Sequence, residues 1–319
     1  MSVSKKSSKK TNKPQKIIDK RIYYAFALLF LANIIVFIFF GYFIFRLLDN
    51  QINAYSRPLI NINSVPKLIN NSQLEITAVS FIVYDPLTRS IILSKNPNIR
   101  LSPASSMKIL TALVSLDHYK LDEYLYGVGA SYDESRMGLS YGEEVSVENL
   151  IYGLLLISGN DAAKTLSSNY PGGSEKFVED MNKKAHELGL TESNFVDPSG
   201  YMDSNYSTAF DMVRLGGYAM ENNFIREVVG TQKKIVYDRY GVIAHPLTNL
   251  NELLIESNVN GIKTGFTNEA GGVLLTSYTH GGRELIIVVM KSEDRFLDTQ
   301  MIINEIKNNV IYSDVSSAD

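Results

Sequence analysis

Apolar and polar positions divide the chain into two unlike parts. Ile22 to Phe45 is a run without a charge, interrupted only by Asn33, Gly41 and a few tyrosines. As a helix rising ~1.5 Å per residue it would reach roughly 36 Å, enough to cross a ~30 Å hydrocarbon core with some tilt. A buried helix of that length in a soluble domain would show a polar face. The pattern therefore predicts a transmembrane helix over residues 22–48. From Gln73 onward the periods are those of a globular domain. Ile76 to Tyr84 is β-branched and aromatic, Asp85-Pro86 stops it, and Ser90 to Lys95 makes a second short strand, so a hairpin is expected. Helical periods come next, over Gly173–Leu188 and Thr208–Glu221. Strand-like runs return at Val259–Phe266, Gly272–Thr279 and Glu284–Lys291, separated by glycine-bearing turns, and a last helix is expected over Asp294–Asn309. Strands at both ends around a helical middle predict an α+β domain. Hairpin connections make its sheet antiparallel, with helices on its faces.

Charge sharpens the first part. Lys5, Lys6, Lys9, Lys10, Lys13, Lys16, Lys20 and Arg21 stand against Asp19 alone before the apolar run. A basic flank keeps the N-terminus cytoplasmic and places the chain after Leu48 outside. The rival, a cleaved signal peptide, would have an apolar region of roughly 7–15 residues and a small-residue cleavage site. Here the run is longer, and Ala54-Tyr55-Ser56 is a poor site. The expected organisation is a basic tail (1–21), a transmembrane helix (22–48), an Asn- and Pro-bearing linker (49–72), a catalytic-sized domain (73–312) and a short tail (313–319).

Composition then removes whole chemistries. The chain has 319 residues, a formal net charge of −3 and no cysteine. No basic face argues for nucleic acid, and thiolate nucleophiles, disulfides and zinc–thiolate sites are excluded. His118, His186, His245 and His280 are scattered, without the paired spacing of a zinc helix. No metal or cofactor is expected, and a nucleophile must be activated without histidine or cysteine.

Three short motifs remain. Ser105-Ser106-Met107-Lys108 is preceded by Pro103-Ala104 and followed by the apolar helical run Ile109–Val114. That places Ser105 at a helix N-terminus, with Lys108 on the same face three residues on. Ser2/Lys5 and Ser7/Lys10 have the same spacing, so context selects this match. Ser158-Gly159-Asn160 lies between two helical segments. Lys263-Thr264-Gly265 lies late in the strand expected over Val259–Phe266, where the glycine admits close approach. Singly, each reads as a cap, a turn and a strand end. In this order they are the set of penicillin-binding proteins and class A β-lactamases.

Further blocks extend the likeness over residues 76–309: Pro103-Ala104-Ser105, Gly142-Glu143, Ser158 to Ala163, Glu187 to Leu190, Pro198-Ser199-Gly200, Ser207 to Asp211, Asn249 to Leu254, and Gly261 to Thr267. The chain resembles the low-molecular-mass D-alanyl-D-alanine carboxypeptidases, serine peptidases of the penicillin-binding type. The resemblance implies a serine β-lactamase/penicillin-binding-protein-like transpeptidase fold. It implies a wall stem peptide ending in D-Ala-D-Ala as substrate and β-lactam antibiotics as covalent inhibitors. Ser105 would be the nucleophile, Lys108 its base, with a nearby cation such as Lys263 favouring the neutral amine, and Ser158 a proton relay. Asn160, Lys263, Thr264, Gly265, Phe266 and Arg295 would bind substrate, and the N–H groups of Ser105 and Phe266 would hold the oxyanion. The chain departs from the family pattern in having Met107 where Thr is common before the motif lysine, in stopping soon after the last helix, and in placing its expected anchor at the N-terminus. Three readings compete with the carboxypeptidase: a D,D-endopeptidase acting on cross-links, a β-lactamase, and a non-catalytic wall-binding module. A class A β-lactamase would carry a deacylating glutamate between the second and third motifs, a region that here resembles the carboxypeptidases.

Overall fold

The computed structural model describes residue 24 and residues 28–31, 33–42, 64–70, 74–129 and 135–314. The chain falls into two compact units, residues 1–61 and 62–319. In the first, residues 28–31 and 33–42 are helical with exposed side chains, and the Asn33 amide donates to the Leu29 carbonyl at 2.8 Å. No helix among the described residues is long and apolar enough to cross a membrane. Much of the span expected over 22–48 lies outside the described residues, as do the basic tail and residues 315–319.

The second unit opens with β1 (Ser64–Leu68), β2 (Ser80–Asp85) and β3 (Ser90–Lys95). A 3₁₀ turn, Ala104–Met107, runs into α1 (Lys108–His118). A small hairpin, β4 (Tyr124–Val128) with β5 (Tyr141–Ser146), precedes α2 (Val147–Leu156), α3 (Asn160–Ser168) and α4 (Gly173–Glu187). Next come α5 (Ala209–Glu221), α6 (Asn223–Gly230) and a second hairpin, β6 (Lys233–Tyr237) with β7 (Ala244–Thr248). The chain closes with β8 (Val259–Thr267), β9 (Gly271–His280), β10 (Arg283–Ser292), α7 (Arg295–Asn309) and β11 (Val310–Asp314).

The main sheet has the order β3-β2-β10-β9-β8, antiparallel throughout, so the expected pairing of N- and C-terminal strands is present. β10 shows why it sits in the centre. Ile286, Val288 and Met290 pack into the helical core, and Leu285, Ile287 and Val289 pack into a second core with Ile302 and Ile306 of α7. Alternate side chains leave opposite faces of a strand. A strand apolar at every position must therefore be covered on both sides.

Two boundaries differ from the sequence expectation, each for a physical reason. The first strand begins at Ser80 rather than Ile76. The N–H groups of Thr77 and Ala78 are taken by the buried Asp298 carboxylate at 3.0 and 2.8 Å, which removes them from any ladder. Ser64–Leu68, inside the range read as a linker, is strand β1, which pairs antiparallel with β11. The side chains of Ser146, Thr208, Asn222 and Asp294 cap the N-termini of α2, α5, α6 and α7. Those of Thr208 and Asp294 account for the helix starts the pattern predicts there.

Candidate active site

Ser105 sits in the 3₁₀ turn rather than in the first turn of a regular helix, and the chain forces that turn against its neighbours. Ala104 has φ +46°, a left-handed conformation uncommon for a residue with a Cβ. Gly200, at φ +75°, lies so close that a Cβ there would fall 2.2 Å from the Ala104 carbonyl oxygen. On the other side runs β8, the edge strand of the sheet. A Cβ on Gly265 would stand 3.0 Å from both the Pro103 carbonyl oxygen and the Ser106 nitrogen. The glycine of the third motif thus lets the edge strand run beside the turn that carries Ser105.

Lys108 begins α1 and is fully buried. Its Nζ donates to Ser105 Oγ at 2.8 Å, to Asn160 Oδ1 at 2.8 Å and to the Ser199 carbonyl at 2.5 Å. Ser105 Oγ in turn lies 3.5 Å from the Ser199 carbonyl. The first and second motifs therefore meet at one ammonium. Ser158, in the link between α2 and α3, has φ +63° and is buried, and its Oγ has no hydrogen-bond partner among the described residues.

The third motif supplies a different environment. Lys263 is 1% exposed, and its Nζ donates to the Thr264 carbonyl at 3.1 Å. Burial pushes its ammonium well below the usual lysine range, and the charges of Lys108 and Arg295 push it the same way. Thr264 is also buried. Arg295 opens α7, with its guanidinium 4.7 Å from the Phe296 ring centroid and 6.0 Å from that of Phe266. Burial lowers its pKa too, against the pull of Glu252 and Asp294, and its Nε has no partner among the described residues. Neither Lys263 nor Arg295 forms an ion pair with a described carboxylate. Ser105, Asn160 and Phe266 open onto a cleft of about 670 Å³, whose wall includes Ser135, Tyr201 and Glu269. Among the described residues no group of three or more His, Asp or Glu side chains is placed to hold a metal ion.

All nine candidate residues thus lie around one turn, one inter-helix link, one edge strand and one helix start. Sequence reasoning missed the carbonyl of Ser199, since a backbone acceptor leaves no mark in the alphabet. The mark lies in Asp197. Its carboxylate accepts the Ser199 N–H at 2.9 Å, the Ser199 hydroxyl at 2.5 Å, the Gly200 N–H at 3.0 Å and the Asn205 amide at 2.5 Å. Burial alone would raise this carboxyl, but the bonds from Ser199, Asn205 and Met202 outweigh it and hold it below the usual carboxylate range. An Asp-Pro-Ser-Gly run is the signal of such a side chain–backbone turn.

Comparison with known proteins identifies the family. A family model described as D-alanyl-D-alanine carboxypeptidase matches residues 67–294. The D-alanyl-D-alanine endopeptidase of Pseudomonas aeruginosa is 34% identical over 230 residues, 70% of this chain and 74% of that protein. D-alanyl-D-alanine carboxypeptidase DacF of Bacillus subtilis is 32% identical over 231 residues, 68% of this chain and 58% of that one, so the match spans less than two thirds of the Bacillus protein. Among solved structures, the Streptomyces K15 DD-transpeptidase superposes with a TM-score of 0.69 at 30% identity, covering 74% of this chain and 98% of its own. A D-alanyl-D-alanine carboxypeptidase of Mycobacterium tuberculosis H37Rv gives 0.71 at 27%, covering 77% and 99%. The α+β fold is that of the penicillin-binding DD-peptidases.

Proposed function

Because the chain belongs to the D-alanyl-D-alanine carboxypeptidase family of serine peptidases, we propose that it removes the terminal D-alanine from wall stem peptides through an acyl-enzyme on Ser105. The observation that carries the reading is the 2.8 Å bond between Lys108 Nζ and Ser105 Oγ inside a buried, polar-lined site. An amine has three N–H donors when charged and two plus a lone pair when neutral. With two N–H groups given to Asn160 Oδ1 and the Ser199 carbonyl, a neutral Lys108 keeps its lone pair for the Ser105 proton. Ser105 Oγ then attacks the penultimate carbonyl while its proton passes to Lys108.

The oxyanion sits on the N–H groups of Ser105 and Phe266, where one donor contributes ~10²–10³ in rate. Collapse breaks the peptide bond, and Ser158 passes the proton from Lys108 to the leaving D-alanine amine. Lys263, Thr264 and Arg295 hold the terminal carboxylate, and Asn160 orients the scissile amide. Water, deprotonated by Lys108, hydrolyses the ester and restores Ser105. β-Lactams acylate the same oxygen and leave slowly.

The same reading includes an N-terminal anchor, supported by the uncharged run Ile22–Phe45 behind a basic tail. It holds the catalytic domain, which begins at β1 (Ser64–Leu68), on the outer face of a bacterial membrane with the N-terminus cytoplasmic. Protease treatment of intact cells tests this. The domain should be digested and the first ~20 residues protected by the bilayer; the reverse would overturn the orientation.

A second reading, the D,D-endopeptidase, is favoured by the name of the Pseudomonas relative, whose length the chain matches better than that of DacF. Parallel assays on a free pentapeptide and a cross-linked dimer separate the two. Faster release of D-alanine from the pentapeptide supports the carboxypeptidase, and faster cleavage of the dimer transfers the assignment.

A further inference from the structure

One buried titratable pair has no part in the acylation chemistry. His245 on β7 and Glu143 on β5 are both buried, with Nε2 and Oε1 2.6 Å apart. His245 Nδ1 lies 3.0 Å from the Met137 carbonyl, and the other Glu143 oxygen accepts the Ser140 N–H at 2.8 Å. Both bonds land on one segment, residues 135–140, and that segment reaches the site. Ser135 lines the catalytic cleft, and its carbonyl accepts the N–H of Asn160 at 2.8 Å. From the opposite side the Asp161 carboxylate accepts the N–H groups of Met137, Gly138 and Leu139 at 3.0, 2.8 and 3.0 Å. Met137 packs so closely on α2 that a Cβ on Gly153 would come within 2.3 Å of its sulfur.

The hydrogen-bond directions fix where protons stand. A carbonyl only accepts, so Nδ1 carries a proton. Nε2 then faces a carboxylate, and a 2.6 Å contact needs a second proton between them; without it two lone pairs meet. Asp238, in the β6–β7 turn, adds a second carboxylate near the ring. Its carboxyl is held below the usual range by the backbone N–H groups of Ile243, Val242 and Tyr240 and by the charge of His245. The charged groups beside it are engaged with each other, Arg239 with Glu144 and Tyr240 with Glu144.

We propose that His245 and Glu143 are a positioning pair whose shared proton fastens segment 135–140 against α3, setting the cleft wall beside Asn160. The proposal rests on the reading of Ser105 as the acylated residue. Loss of the bond between them releases the strap, and acylation slows although nothing at Ser105 has changed.

The test uses the full chain in detergent and a fluorescent penicillin, with acylation rate measured for Glu143→Ala and Glu143→Gln beside the wild type. Glu143→Gln is the informative variant. Its carbonyl keeps the Ser140 N–H and its amide donates to a neutral imidazole, so the strap closes without the shared proton. E143Q should acylate faster than Glu143→Ala by roughly threefold to tenfold, the span of a single hydrogen bond. Equal rates in E143Q and E143A would overturn the proposal. A second pair reads the geometry. His245→Asn can still donate to the Met137 carbonyl, whereas His245→Gln reaches Glu143 but not Met137. H245N should retain more acylation than H245Q, and equal losses would also overturn it. A wild type that forms no adduct on Ser105 is a distinct result, which removes the functional reading and this role with it.

Discussion

The two sides of the cleft are built on opposite principles. Around Lys108 the polar groups are matched: three acceptors surround the ammonium, and a carboxylate, Asp197, collects the donors of the loop behind it. Across the cleft, Lys263 is a buried and Arg295 a half-buried cation, neither ion-paired with a carboxylate among the described residues, and Arg295 Nε has no hydrogen-bond partner there. A satisfied network fixes geometry, and this one holds Ser105 and Lys108, the proposed nucleophile and base, in register. Buried, uncompensated cations destabilise the fold. Such groups are the expected cost of a surface that must gain its energy from an anion, in the proposed function the terminal carboxylate of the substrate. One side is thus optimised for position and the other for binding.

Substitutions on each side should therefore fail in different ways. The largest effect is expected at Lys108: Lys108→Ala should lower acylation by roughly 10²–10⁴-fold, the range of a lost general base. Stopped-flow penicillin binding measures it, and near-normal acylation would remove the base from Lys108. Next comes Gly265→Ala, which places a methyl 3.0 Å from Pro103 O and Ser106 N. Overpacking of this kind costs about 1–3 kcal/mol, and the edge strand should move away from the turn. Denaturant midpoints and acylation should fall together; an unchanged rate would deny that β8 and the turn must touch.

Lys263→Met turns the contrast into a trade. Folding lowers the pKa of Lys263. Between its folded value and the usual lysine value the unfolded chain holds the extra proton, so stability rises with pH there and the neutral range carries the penalty. Removing the charge should raise the melting temperature at pH 7 by a few degrees, roughly the 2–4 °C per kcal/mol of a domain this size. Hydrolysis of the stem peptide should meanwhile collapse. A lower melting temperature would contradict the view that this side is strained for binding.

The smallest effect should be at Asp197. Its carboxyl is lowered by folding, so its contribution is complete above the unfolded carboxylate value, about 4. That contribution is lost as pH falls through the folded value. The difference in melting temperature between wild type and Asp197→Asn should accordingly shrink below about pH 4. A difference that persists in acid would assign the loop's order to something other than the charge.

The sequence carried much of this arrangement because its signals were local. The unbroken apolar run within 284–291 marked a strand, and Thr208 and Asp294 marked helix boundaries. What escaped was non-local or belonged to the backbone. β1 pairs with β11 across nearly the whole domain, and Ser64–Leu68 alone reads as loop because Pro66 and its asparagine-rich neighbours mask it. The Ser199 carbonyl has no letter of its own. His245 and Glu143 lie 102 residues apart, so their contact has no spacing rule to betray it. The 3₁₀ turn at Ser105 escaped for the same reason. It is imposed by Gly200 and Gly265 from distant segments rather than by propensity.

The most direct test of the central claim is to incubate the full chain with a fluorescent penicillin and map the label by mass spectrometry, with Ser105→Ala beside it. β1 pairs with the end of the domain, so a fragment that begins after Ser64–Leu68 is the wrong protein for this purpose. The account predicts one covalent adduct, on Ser105, absent from S105A and much slower to form in K108A. A folded protein that takes no label, or takes it on another serine, would contradict it.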